Sequence, residues 1–406
     1  MNGSRRVAVT GVGAVSALGR NAAETWSALS EGRSGIARIE SVDTAGLRFR
    51  NGAEVRGFDP SEHFDPVRLD FLDRFAQFAL VAAREALADS GLRISGDLSE
   101  RTAVYTGSSL GGQTTEDAGF VDLYRRGTNR MHPLSIPRVM ANAGASQISM
   151  EFGLTGPACT ISTACSSSNH AIGHAFWMVR SGLVDLAIAG GSEAPFSHAH
   201  LKAWEAMRVV SPDTCRPFSA DRRGVILGEG AGFLVLEPLD AAMARGARIY
   251  AEVAGFGMSS DAHHLTQPTS SGPARAMRAA LGDADLAAEQ VGYVNAHGTG
   301  TRSNDPAETR AIRDVFGPHA DKLAVSSTKS MHGHALGAAG ALEAVATVLA
   351  LHHGVVPPTA NFTTLDPECD LDVVPNEARA VRLEAALSNS FAFGGLNAVL
   401  AFRAPA

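Results

Sequence analysis

Short apolar runs alternate with segments of helical period along the whole 406-residue chain, and this alternation limits the possible folds more than any other feature. Residues 103–106, 158–163, 184–189, 233–236, 291–295 and 323–326 read as strands, and a longer one starts near 249. These runs are continuously apolar, as strands covered on both faces are. Between them, residues 71–90, 138–152, 273–281, 306–316 and 334–351 repeat apolar positions at three- and four-residue spacing, the first two stopping at Gly91 and Gly153. A last strand covers 398–402. The alternation predicts an α/β layered protein with largely parallel sheets. A boundary is placed at 250–260, where a strand leads into the polar segment 259–271, giving halves 1–252 and 253–406.

At the N-terminus, Arg5 and Arg6 precede an apolar run to Leu18. Glycines, Thr10 and Ser16 interrupt it and no small-residue cleavage site follows, so a strand over 7–10 and a tight turn at Gly11-Val12-Gly13 are expected rather than a signal peptide. The Gly-x-Gly lacks the third glycine and the acidic residue of a dinucleotide loop. The net charge of −7 argues against non-specific nucleic-acid binding. The four cysteines show no metal-ligand spacing, so a reducing, cytoplasmic setting and no metal are expected. No apolar stretch reaches the ~20 residues of a membrane helix, and the richest, 338–351, contains Glu343.

Four segments carry chemistry. In Thr163-Ala164-Cys165-Ser166-Ser167-Ser168 a strand runs into a helix, which places Cys165 at a helix N-terminus, where free N–H groups stabilise a thiolate or an oxyanion. Taken alone, an inert buried cysteine is an equal reading. Asn295-Ala296-His297-Gly298-Thr299-Gly300-Thr301 follows one strand, and Lys329-Ser330-Met331-His332-Gly333-His334 lies between a strand and a helix. Histidines beside glycines at strand ends suit a cleft, although each alone also suits a structural role. His263 and His264 are candidates for an entrance. Asn389-Ser390-Phe391-Ala392-Phe393-Gly394-Gly395 makes a tight apolar turn fit for a gate or an oxyanion donor.

In order and wording, these segments, with Gly228-Glu229-Gly230-Ala231-Gly232 and Ser326-Ser327-Thr328-Lys329-Ser330, resemble the elongating β-ketoacyl-acyl-carrier-protein synthases of the thiolase superfamily, over almost the whole chain. The resemblance implies a five-layered αβαβα sandwich of two similar halves, in a homodimer or a heterodimer with a chain-length factor. It implies Cys165 as acyl acceptor from the phosphopantetheine of an acyl carrier protein, with no cofactor of the enzyme's own. His297 and His334 would bind the thioester oxygen of malonyl carrier as carbon dioxide leaves. Backbone N–H groups of Cys165 and Phe393 would form a second oxyanion hole, and Phe393 would gate malonyl entry. Lys329 and Glu343 would support the site, Thr299 and Thr301 would bind the pantetheine arm, and Leu110 and Phe391 would contact substrate, Leu110 bounding the acyl pocket. Some relatives hold a structural monovalent cation near positions matching Asn295, Glu343, Ser388 and Asn389.

Three departures stand out. Ala392 and Leu396 replace a glycine and a threonine common in fatty-acid enzymes. Segment 65–74 is less basic than its counterparts, leaving Arg68, Arg74, Arg125, Arg126, Arg130 and Arg208 as candidates for docking an acidic carrier. The stretch from His297 to Asp305 is closer to polyketide-type enzymes. Two alternatives remain: a non-elongating, chain-length-factor-like partner, which usually lacks the cysteine, and a cysteine hydrolase, which would release free acid.

Overall fold

The computed structural model describes residues 5–405; the outermost ends of the two expected halves, residues 1 and 406, lie outside them. Ten strands form one mixed sheet: β1 (Val7–Ser16), β2 (Thr102–Gly107), β3 (Ala158–Ile161), β4 (Leu186–Glu193), β5 (Gly230–Pro238), β6 (Ala251–Ser260), β7 (Val291–Asn295), β8 (Ala324–Ser326), β9 (Ala385–Ala392) and β10 (Leu396–Arg403). Their spatial order is β8-β7-β9-β10-β6-β1-β5-β4-β2-β3.

That order is one arrangement used twice. Strands β3-β2-β4-β5-β1 pair parallel, parallel, antiparallel, antiparallel. Strands β8-β7-β9-β10-β6 repeat the same sequence of pairings. The repeats join where β1 runs antiparallel to β6, Val7 opposite Val253 and Val9 opposite Ala251.

Five helices complete the layers: α1 (Arg74–Ser90), α2 (Ser167–Arg180), α3 (Ser271–Ala284), α4 (Asn304–Phe316) and α5 (Ala339–His353). Helix α1 covers the outer face of the first repeat and α3 that of the second. Helices α2 and α5 lie between the repeats and touch strands of both, so the expected five-layered sandwich is the one observed. Leu336–His353 is apolar and long enough to cross a membrane, but it is buried in this middle layer.

Helix α1 begins at 74 rather than 71, because the Asp73 carboxylate accepts the Phe75 N–H as an N-cap; Gly91, at φ +67°, closes it. The turn expected at Gly11-Val12-Gly13 does not form. Strand β1 runs straight through, with a bulge between Val9 and Gly11. A Cβ at Gly13 would lie 2.0 Å from the Ala82 carbonyl oxygen of α1, and one at Gly11 2.1 Å from that of Ala86. These glycines mark close packing of strand on helix, not a reversal. The helix expected over 138–152 is split into Ser135–Val139 and Ala143–Phe152, with Met140 extended. The Val139 carbonyl at the break accepts the Gly112 N–H from a crossing loop (3.0 Å).

Candidate active site

The apolar segment before Cys165 forms β3, and α2 starts two residues after it. Ala164 is held at φ +51°, costly for a residue with a Cβ. This bend sets the buried Cys165 just before the helix N-terminus. Its own backbone N–H and that of Phe393 lie near enough to the sulfur to favour the thiolate. Burial nevertheless pushes the thiol up to about 11, against the downward pull of Lys329 and the two N–H groups. Burial thus opposes the thiolate that the helix terminus alone would favour.

His297 follows β7 and His334 follows β8. Their rings lie 5.5 Å apart and nearly perpendicular. The expected helix does not begin at His334. Its backbone is bound on both sides, N–H to Ile226 O (2.7 Å) and O to the Gly228 N–H (2.9 Å), and α5 starts at Ala339 after a short turn. In that turn Leu336, at φ +47°, aims its N–H at His334 Nδ1 (3.1 Å). Nδ1 of His297 faces Lys329 Nζ at 3.3 Å. Each Nδ1 is thus an acceptor, so each neutral ring carries its proton on Nε2. Burial first, and then the Lys329 charge, holds both imidazoles well below their ordinary range.

Lys329 also donates to His297 O (2.8 Å) and pairs with Glu343; both side chains of the pair are fully buried. Burial pushes Glu343 up to about 7, although Lys329 opposes the shift. One cleft is lined by Cys165, His297, His334, Thr299, Thr301, Phe391 and Phe393. The Thr299 and Thr301 hydroxyls are 3.0 Å apart. Phe391 packs on the His297 ring (5.9 Å), and Phe393, partly exposed, stacks on Trp204 (6.2 Å). His264 lies in the same cleft wall. Leu110 does not line this cleft; it packs with Phe196, Leu201, Trp204 and Leu336 behind it.

Four buried oxygens at Asn295, Glu343, Ser388 and Asn389 have no hydrogen-bond partner, and Asn295 is paired in register with Ser388. Carboxamide, hydroxyl and carboxylate oxygens of this kind suit a hard monovalent cation. Among the described residues no cluster of His, Cys, Asp and Glu suits a transition metal. Arg74 is not free for docking, because its guanidinium is bound to Glu229 (2.7 and 2.9 Å). Arg68 and Arg126 are paired with Glu151 and Asp122.

Sequence reasoning missed Glu308. Its carboxylate accepts the N–H groups of His297 and Gly298, both at 2.8 Å, and the Asn389 amide at 3.2 Å, fixing the His297 loop. The available signal was Asp305 and Glu308 on the first turns of a helix directly after the histidine motif. Such acids serve the N–H groups of the preceding loop. Trp204, whose indole N–H donates to His200 Nε2 (2.7 Å), was missed as well.

Comparison with known proteins identifies the family. The family model "Beta-ketoacyl synthase, N-terminal domain" matches residues 4–242, and "Beta-ketoacyl synthase, C-terminal domain" matches 250–363. Nodulation protein E of Rhizobium sp. is 49% identical over 98% of this chain and 99% of its own length. A 3-oxoacyl-[acyl-carrier-protein] synthase 2 of Staphylococcus aureus is 42% identical over 99% of both chains. The solved ishigamide ketosynthase/chain length factor superposes with a TM-score of 0.95 at 40% identity, over 99% of this chain and 100% of that one. Fold, cleft and sequence converge: the chain belongs to the β-ketoacyl synthase family.

Proposed function

We propose that this protein is an elongating β-ketoacyl-[acyl-carrier-protein] synthase that extends a carrier-bound acyl chain with malonyl carrier, in polyketide or fatty-acid biosynthesis. One observation carries the reading: a single cleft holds a thiol met by two backbone N–H groups and two neutral imidazoles presenting Nε2–H.

Cys165 attacks the acyl thioester, and its proton ends on the departing carrier thiol. The N–H groups of Cys165 and Phe393 bind the oxyanion as it develops, which suits a nucleophile that rests uncharged. Malonyl carrier then places its thioester oxygen between His297 and His334. Carbon dioxide leaves and the two Nε2–H groups hold the enolate. Neutral donors serve here, because their protons are shared and not given up. The carbanion attacks the acyl-Cys165 carbonyl, and collapse expels the cysteine thiolate, which takes a proton from water. The product is a β-ketoacyl carrier two carbons longer.

Lys329, itself held by Glu343, keeps His297 in place and opposes its charging. Thr299 and Thr301 hydrogen-bond the pantetheine arm, Phe391 shapes the cleft and Phe393 gates it. Leu110, packed in the apolar cluster with Trp204 and Leu336, bounds the acyl pocket. Asn295, Glu343, Ser388 and Asn389 would hold a monovalent cation in a structural role, outside the reaction. The partners are an acyl carrier protein and a second subunit, either another copy or a chain-length factor. The halves divide at 252/253, and the enzyme works in the cytoplasm, in keeping with four free thiols. The test mixes the protein with acyl carrier and malonyl carrier and follows carrier masses. A carrier-bound β-ketoacyl product supports the reading, and free fatty acid in its place favours a hydrolase.

A further inference from the structure

Glu193, the last residue of β4, is fully buried and does not line the cleft, yet both its oxygens are saturated with donors. Oε2 accepts the Ser109 N–H (2.7 Å), the Ser109 hydroxyl (2.5 Å) and the Gly337 N–H (3.0 Å). Oε1 accepts the Ser108 hydroxyl (2.9 Å) and the Leu110 N–H (3.3 Å). One carboxylate therefore holds two loops: the one bearing Leu110, after β2, and the turn after His334.

The second connection reaches the chemistry. Gly337 directly follows Leu336, whose left-handed backbone aims its N–H at His334 Nδ1. A non-glycine residue at positive φ persists only where its surroundings hold it. The Gly337 N–H bond to Glu193 supplies that hold on one side. On the other, the Ser168 hydroxyl of the nucleophile helix donates to the Gly337 carbonyl. No larger residue fits at 337: a Cβ there would lie 2.4 Å from Ser109 N and 2.6 Å from Glu193 Oε2.

We propose that Glu193 is a positioning residue for decarboxylation: by binding Gly337 it holds the Leu336 turn that fixes His334 as an Nε2–H donor, and it ties that turn to the Leu110 loop. The inference rests on the condensing role proposed for the cleft. Glu193 touches no reacting atom, and removing it affects the two half-reactions unequally.

Glu193→Ala removes both carboxylate oxygens and leaves the Gly337 N–H only its longer contact with the Ser109 hydroxyl (3.2 Å). Glu193→Gln keeps one carbonyl oxygen for Ser109 and Gly337 and turns its NH2 toward the Ser108 hydroxyl, which can accept. Two rates are measured on folded protein: decarboxylation of malonyl carrier without an acyl donor, and acylation of Cys165 by a short-chain acyl carrier. The alanine variant is expected to lose about 100-fold in decarboxylation, the scale of a misplaced group, and the glutamine variant about 10-fold, less because one acceptor stays. Acylation should not fall by more than about threefold in either, since the N–H groups that serve it are not held by Glu193 and loss of the Glu193 charge, which pushes the Cys165 thiol up, favours the thiolate. If the alanine variant does not fold, the same split in the glutamine variant decides. Equal losses in both rates, no loss in either, a glutamine variant no better than alanine, or failure of both variants to fold would overturn the positioning role. A parent enzyme that neither decarboxylates nor condenses would instead overturn the functional reading.

Discussion

The two repeats share strand order and pairing but not chemistry. In the first, the segment after the third strand carries Cys165 and enters α2 almost at once. In the second, the segment after the third strand, β8, carries His334 and makes a short turn before α5. The two positions are topological equivalents, and α2 and α5 lie together in the middle layer. In the proposed mechanism one repeat supplies a nucleophile at a helix terminus, the other a neutral hydrogen-bond donor held away from one. The scaffold fixes where the two groups meet, and the few residues after each third strand decide what each does.

If labour is divided this way, the halves can be disabled separately. Cys165→Ala should lower acyl transfer and condensation by at least about 1,000-fold while malonyl decarboxylation continues, as read from carrier masses. His334→Ala should do the reverse, costing about 100- to 1,000-fold in decarboxylation, the usual loss for one oxyanion donor, with Cys165 still acylated. Equal loss of both steps in either variant would break the comparison.

Lys329→Met tests the support behind the second repeat. It leaves Glu343 buried without its partner, so a loss of about 3–5 kcal/mol is expected in denaturant melts. The pH profile should move too. In the parent the histidine pKa values are depressed, so the neutral donors persist below pH 6.5 and the acid limb of decarboxylation lies well under that value. Removing the lysine charge raises them, and the limb should move toward 6.5.

The smallest effect concerns the scaffold. Gly11 and Gly13 of β1 pack on α1, and Gly255 and Gly257 of β6 pack on α3, where a Cβ at Gly257 would lie 2.1 Å from the Ala276 carbonyl oxygen. Gly13→Ala and Gly257→Ala should each cost about 1–3 kcal/mol by overpacking, in similar amounts if the repeats are equivalent in packing. A large difference in melting between the two would limit the equivalence to topology.

The same glycines show what the sequence could reveal. Val7-Ala8-Val9-Thr10-Gly11-Val12-Gly13 and Ala251-Glu252-Val253-Ala254-Gly255-Phe256-Gly257 share their glycine spacing, a trace of the duplication visible in the bare sequence. It was misread as a turn because local turn propensity ignores a helix arriving from some 70 residues away. The strand-to-helix setting of Cys165, the histidine loops and the Phe391–Phe393 turn were all legible, because each is written in contiguous residues. Glu308 and Glu193 were not, because their partners are backbone N–H groups supplied by other segments. The thiol's raised pKa was hidden for a similar reason: burial of Cys165 depends on the packing of distant loops.

The most direct test of the account is a single turnover in two stages. The protein is loaded with an acyl carrier alone, freed of carrier, and then given malonyl carrier. The account predicts that the acyl group leaves the Cys165 peptide one for one with the appearance of a carrier-bound β-ketoacyl chain two carbons longer. Release of the acyl group as free acid, or extension without any acylated Cys165, would contradict it.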